Sequence, residues 1–380
     1  MWPIPGRLKQ GLRRLLGGKA PKEPTLLTHA QGYTPPTQDT QAAIAELSHV
    51  VRNNPDAVEI YLALGNLYRS QGQIDRAIQI RHNLIVRPGL DSKFKAQALY
   101  ELGLDYRRGG FLDRAQSAFA QARELIGDDP ALLGELAGIA AAGREFELAA
   151  DYYQCLGRPL AQAHYLVQAA RQSAANRERK KCEQYLSRAL RIYPGSIEAW
   201  LERMILAYKD YDWDQLAGQF RKGSAKVPVH LRFILLEGLI QHLLQERTNQ
   251  EIFAPVIHEE ACRNLLKILE KDTTDILLTY YGAWLQLQIE QKEKAKQWLQ
   301  TCINMDSDFW PARLELLFLS AEEHELGREF KTQLEFFLRR ARQIKKFICT
   351  SCGLRREQLF FVCPRCQSWH SISFLKVLTN

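Results

Sequence analysis

The stretch "LYELGLDYRRGGFLDRAQSAFAQA", residues 99–122, decides how this chain is read. Leu102-Gly103, Tyr106, Gly110, Ala115, Phe119 and Ala122 mark a helix pair. Small residues stand where the two helices cross, and aromatics fill the gaps beside them. "IYLALGNLYRSQGQIDRAIQIRHNLIVRP", residues 60–88, has the same order in Leu64-Gly65, Tyr68, Gly72 and Ala77. Gly103 follows Gly65 by 38 residues, and Ala137, Ala170 and Met204 follow in turn at 34, 33 and 34. The longer first interval predicts an extended connection around "PGLDSK", residues 88–93. Ala149 and Tyr153, then Leu186, Ala189 and Pro194, then Phe220 and Pro228, mark the second helices downstream, and Trp200 is a bulky first-helix residue. Residues 231–306 read as two looser helix pairs, and 309–344 as a final pair.

A sustained period near 34 residues with this pattern is that of the tetratricopeptide repeat. One pair cannot bury its apolar face alone, so seven or eight stack into a continuous core. The expected fold is an all-α tetratricopeptide solenoid over residues 41–346, followed by a small rubredoxin-like or zinc-ribbon β module over 347–380. First helices of such pairs line the inner surface. With Leu64-Gly65 and Leu102-Gly103 as register marks, Asn66, Arg69, Tyr100, Arg107 and Arg108 fall on that surface. Three arginines and an amide there suit an acidic or carboxylate-bearing segment of a partner, with a solvated helix face as the plainer alternative.

The last segment carries the chemistry. Cys349-x-x-Cys352 and Cys363-x-x-Cys366 are separated by ten residues. Each turn aims two sulfurs at one centre, and two facing turns make a tetrahedral four-sulfur site for one zinc or one iron ion. Gly353 permits the positive φ that such a turn needs, and Pro364 stiffens the second turn. Four thiolates fill the coordination shell, so catalysis at the metal is not expected. His370 is read as a surface or packing residue, not a ligand. His258 and Cys262 are half a site at best, and the core reading is preferred. No G-x-x-x-x-G-K, G-x-G-x-x-G or H-E-x-x-H occurs.

The 380 residues are 46% hydrophobic and 25% charged, enough for a buried core. Eight cysteines are too few for a disulfide framework, which favours a reducing, cytoplasmic compartment. Cys155, Cys182, Cys262 and Cys302 are read as small apolar residues of helices. The formal charge of +8 is concentrated at the ends, about +4 over residues 1–40 and +8 over 339–380, around a mildly acidic body. Residues 1–40 have the composition of a basic, disordered segment, with ordered helix starting near Asp39-Thr40. Within them Ile4, Leu8, Leu12, Leu15 and Leu16 share a face bordered by Arg7, Lys9, Arg13 and Arg14, so residues 4–16 are a candidate for peripheral membrane contact. Basic ends also raise nucleic-acid binding by a zinc ribbon as an alternative, and an iron-loaded site raises electron transfer. Thiolate charge and the acidic body weigh against nucleic acid.

Repeats ending in "CxxCG…CPxCxxWxxI", carried here by Cys349, Cys352, Gly353, Cys363, Pro364, Cys366, Trp369 and Ile372, resemble the bacterial lipopolysaccharide assembly protein B family. The resemblance covers about residues 41–380. It implies a non-enzymatic adaptor at the cytoplasmic face of the inner membrane that presents the lipid A deacetylase to a membrane AAA+ protease. It also implies that the four cysteines hold the metal, that the module packs on the repeats, and that Trp369 packs against the knuckles or the last helices. Members of that family begin with a transmembrane helix, whereas residues 1–40 here are too basic and too rich in Pro and Gly to span, so peripheral contact is the expectation.

Overall fold

The computed structural model describes residues 38–53, 57–246, 256–271, 275–323 and 346–375, with isolated positions between 327 and 341. Residues 4–16 and most of the second helix of the pair expected at 309–344 lie outside them. The described residues fall into two compact units, 1–144 and 145–380.

In the first unit α1 (Gln38–Asn53) precedes α2 (Val58–Ser70), α3 (Ile74–Ile85), α4 (Ser92–Arg108), α5 (Leu112–Ile126) and α6 (Pro130–Ala142). The second holds α7 (Phe146–Cys155), α8 (Pro159–Ala175), α9 (Arg179–Ile192), α10 (Ile197–Lys209), α11 (Trp213–Lys226), α12 (Phe233–Glu246), α13 (Glu259–Leu269), α14 (Ile276–Gln288), α15 (Lys292–Met305) and α16 (Trp310–Glu323). Strands β1 (Phe347–Cys349), β2 (Arg355–Arg356) and β3 (Ile372–Phe374) complete it. No helix among the described residues is long and apolar enough to cross a membrane.

Local chemistry accounts for the helix starts. Asp91, Asp129, Ser196 and Asp275 cap first helices by accepting backbone N–H bonds, and Pro130 occupies the first helical position after Asp129. The turns after α2, α4, α6, α8 and α10 each hold one residue with positive φ: Gly72, Gly110, Arg144, Arg177 and Tyr211. Those residues are spaced 38, 34, 33 and 34 apart, the same intervals as the small crossing residues. The long first interval is absorbed by the connection 86–91 together with an added turn at the start of α4, which runs 17 residues against 13 in α2.

Close crossing sets the small positions. A Cβ on Gly103 would overlap the Phe119 ring, and one on Gly282 would overlap Trp298. In each case the second-helix residue sixteen positions on fills the space. At the first pair that residue is Arg81, fully buried beside Gly65. A guanidinium there demands counter-charges. Arg69 and Arg81 therefore share Glu101 and Asp105 of α4: Arg69 reaches them at 2.6 and 2.9 Å, Arg81 at 3.7 and 3.5 Å. Asn66 Oδ1 accepts from both arginines.

In the second unit one hydrophobic core runs from Ile197 to Phe374, so helices and module share it. The three strands form an antiparallel sheet in the order β2-β1-β3. Phe347 pairs with Phe374 and Cys349 with Ile372, which turns all four side chains to the buried face.

Candidate functional site

The two Cys-x-x-Cys turns are near copies of each other. Gly353 N–H donates to Cys349 O, and Gln367 N–H donates to Cys363 O, both at 2.9 Å. Each residue after the second cysteine has positive φ, 72° at Gly353 and 58° at Gln367. Glycine takes that conformation freely, and Gln367 adopts it at a small steric cost.

These turns gather the sulfurs of Cys349, Cys352, Cys363 and Cys366 within 4.8 Å of one another. Cys349 lies 3.7 Å from Cys366, and Cys352 lies 3.7 Å from Cys363. A tetrahedron with ~2.3 Å metal–sulfur bonds has sulfur–sulfur edges of about 3.8 Å, so the four donors fit one ion. Without an ion the thiols divide: the Leu354 amide favours the Cys352 thiolate, but burial and the three neighbouring sulfurs push that thiol up to about 12, whereas two others are lowered. Burial opposes ionisation of Cys349, but the Ser371 hydroxyl at 3.2 Å and the amides of Cys352 and Ser351 outweigh it and lower the thiol to about 6. The hydroxyl and amide of Ser368 lower Cys366 in the same way. Four sulfur ligands would leave no open position for a substrate, and an ion held by them would crosslink the two turns.

The module is seated on helices far upstream. Trp369 meets His164 edge-on at 4.9 Å and packs beside Tyr165 and Tyr153 at 6.1 and 6.4 Å. The expected seat on the last helices is therefore corrected: the rings beside Trp369 belong to α7 and α8, while its backbone stays beside the second knuckle at Val362. A reverse bridge between Val362 and Trp369 and the positive φ of His370 turn this corner toward those helices. His370, expected at the surface or in packing, has a specific bond. Its Nε2 lies 3.2 Å from Glu198 Oε2, while His164 Nδ1 lies 2.6 Å from Glu198 Oε1. Glu198 is fully buried. Desolvation resists its charge, yet the two imidazole bonds prevail and hold the carboxyl down at about 2.

A second polar chain ties the module to α12. Tyr281 donates to Glu237 at 2.7 Å, Gln241 donates to the other oxygen of Glu237 at 2.7 Å, and Leu359 N–H donates to Gln241 at 3.3 Å. Apolar contact completes the seat. Phe233 stacks on Phe347 at 6.1 Å and meets Phe374 edge-on at 5.8 Å, and Trp310 Nε1 donates to the Leu375 carbonyl at 2.9 Å.

His164 and Glu198 lie six residues before the crossing residues Ala170 and Met204, so the repeat offset applied to the degenerate pairs would have found them. The inner-surface residues read from the first pairs have varied surroundings. Arg69 is buried in the ion cluster and Asn66 is bonded to it; Tyr100 is fully buried against Phe119. Arg107 is 46% exposed and paired with Glu135, and Arg108 is exposed. Of the single cysteines, Cys182, Cys262 and Cys302 are buried as expected, whereas Cys155 is exposed at the end of α7. His258 caps α13 and stacks on Trp213 at 4.8 Å.

Helix pairs in register, ended by a four-sulfur module, define a tetratricopeptide-type scaffold for protein interaction. The tetratricopeptide-repeat family profile matches residues 37–80 and 100–155. Beyond that class, the chain is similar to lipopolysaccharide assembly protein B. The Haemophilus influenzae protein is 25% identical over 329 residues, covering 83% of this chain and 78% of the relative. The Escherichia coli K12 protein is 22% identical over 342 residues, covering 87% and 84%.

Proposed function

We propose that this chain is a non-enzymatic adaptor whose repeats hold protein partners and whose module, with one zinc or iron ion, shapes the inner wall of the second unit. The observation that carries this reading is the seat of the module. Its four sulfurs converge within 4.8 Å of one another, and its buried aromatic and aliphatic side chains share the core of the repeats. A scaffold needs a stable surface and no reactive group. By likeness to lipopolysaccharide assembly protein B, the partners are the lipid A deacetylase and a membrane AAA+ protease at the cytoplasmic face of the inner membrane. Regulation of lipopolysaccharide synthesis then follows from bringing the first to the second. Of the five inner-surface residues read from the first pairs, Arg107 and Arg108 at the end of α4 are the exposed ones and would meet a partner.

The test measures the lifetime of the deacetylase from the same organism with its membrane protease, with and without the full chain. Wild type shortens that lifetime, and Cys363→Ser does not. An unchanged lifetime with wild type overturns the partner assignment. Tight, steeply salt-dependent binding of bulk RNA or DNA would replace the adaptor reading with the nucleic-acid one. Metal analysis decides the ion, and a colourless, zinc-only protein excludes electron transfer.

A further inference from the structure

The last helix pair ends the stack with an apolar ridge. Of its second helix, positions 330, 332–334, 336, 337 and 341 are described and helical. Leu334 and Ala341 are half-buried, whereas Phe330, Phe336 and Phe337 are 61%, 61% and 65% exposed. Phe330 and Phe337 stand seven residues apart on one line of the helix, and Phe336 lies about 100° further round. The chain passes from here into β1 of the module, so this pair is the last of the stack. A terminal repeat ordinarily turns a polar outer face to water. Three phenylalanines in that place mark a surface built to meet another.

The sequence around the ridge selects what it meets. From Phe330 to Lys346 six Lys or Arg stand against Glu335 alone, a net +5. Exposed rings among cations are the composition of a helix that lies in a lipid–water interface, rings toward the acyl chains and cations at anionic headgroups. With six cations the segment cannot span, so such a contact is confined to the surface. Other occupants fit less well. A second copy would set +5 against +5. A protein partner must offer a hollow that matches a convex ridge, whereas a bilayer surface needs no matching shape. Phe336 and Phe337 meet edge-on at 5.6 Å, so one ring closes off a face of the other and the pair is a poor platform for stacked bases.

We infer that Phe330, Phe336 and Phe337 form a lipid-facing ridge that seats the last helix pair on an anionic bilayer surface. This contact is separate from residues 4–16, at the other end of the sequence. It rests on the adaptor reading only for the chain's place beside a membrane, and adds to that reading the side of the second unit that faces lipid.

Flotation of the full chain with lipid vesicles tests this. Every protein compared carries Leu8→Glu and Leu12→Glu, so that residues 4–16 contribute nothing. Vesicles of phosphatidylcholine and phosphatidylglycerol in equal parts float the chain, and pure phosphatidylcholine vesicles bind it about tenfold or more weakly, the scale of one or two cations at an anionic surface. Phe336→Ser with Phe337→Ser lowers partition onto the mixed vesicles by about tenfold or more, the scale of two rings leaving the acyl region, with melting unchanged. In a second measurement, Phe337→Trp adds emission that brominated lipid quenches. No flotation, equal flotation on neutral vesicles, unchanged flotation of the serine variant, or unquenched emission from Phe337→Trp each overturns the inference. A dimer that becomes a monomer in the serine variant without lipid also overturns it and assigns the ridge to a second copy. Loss of poly(U) binding in that variant with flotation intact overturns it in favour of RNA. The vesicles hold no deacetylase or protease, so failure here leaves the adaptor reading standing, and failure of deacetylase turnover leaves the ridge.

Discussion

Each unit buries a carboxylate among cationic or proton-bearing partners, and the two behave in opposite ways. Asp105 in the first unit sits with Glu101 between Arg69 and Arg81, all from adjacent helix pairs. Burial outweighs the two guanidiniums and pushes Asp105 up to about 6, and its Oδ2 makes no hydrogen bond. Glu198 in the second unit has both oxygens bonded, one of them to a histidine 172 residues away, and is held at about 2. The first cluster compensates a buried charge inside the repeats. The second fastens a distant module to them. What differs is the fit of donors to oxygens, not the depth of burial.

The comparison breaks most visibly on metal removal. A four-sulfur ion in a small module contributes on the order of 10 kcal/mol to its folding. Chelation, or Cys349→Ser, is expected to unfold the strands, free Trp369 and Trp310, and raise proteolysis after α16, with the first unit unaffected. Limited proteolysis with mass spectrometry checks this, and equal protection of the module with and without metal would sink it.

Next in size is Arg81→Ala. It leaves two buried carboxylates with one guanidinium and costs about 3–5 kcal/mol. Hydrogen exchange should report that loss in α2 to α5 and leave the module's protection as in wild type.

Glu198→Gln comes third. It replaces charge-assisted bonds by neutral ones and costs about 2 kcal/mol in docking of the module. The same pair of sites gives a pH test with opposite signs. Glu198 is depressed from 4.5, so its contribution is present above about 4.5 and is lost as pH falls toward about 2. Asp105 is raised from 3.8, so its contribution is full below about 4 and is lost as pH rises through about 6. Melting curves of wild type, Asp105→Asn and Glu198→Gln across pH 2 to 7 should show the two slopes vanish separately. A shared slope for both variants would refute the contrast.

Smallest is Trp310→Phe, which keeps an aromatic ring of smaller volume and removes one hydrogen bond to the Leu375 carbonyl, a loss of about 1 kcal/mol in the second unit alone. A loss near zero would mean that aromatic packing by itself holds that end of the sheet.

Much of the fold was legible in the residues. The intervals 38, 34, 33 and 34 between crossing residues reappear in the turn geometry, because each pair must return the chain to the same stacking position. The four-cysteine cluster was legible as well, since two Cys-x-x-Cys turns constrain four sulfurs locally. The seat of the module was not. Trp369 and His370 are a few residues from the ligands, yet their partners, Tyr153, His164 and Glu198, come from pairs whose repeat signal has decayed. Similarly, Arg69 looked like an inner-wall cation because its need to share Glu101 and Asp105 with Arg81 depends on contacts between neighbouring pairs.

By itself the sequence determined what is local: helix caps, the small residues that let helices cross, and the paired turns that collect sulfur. The tertiary structure alone decided which helices the module covers and which arginine is buried. Those outcomes depend on side chains brought together across 32 to 172 residues, and no local pattern specifies which of several polar or aromatic neighbours will be desolvated together.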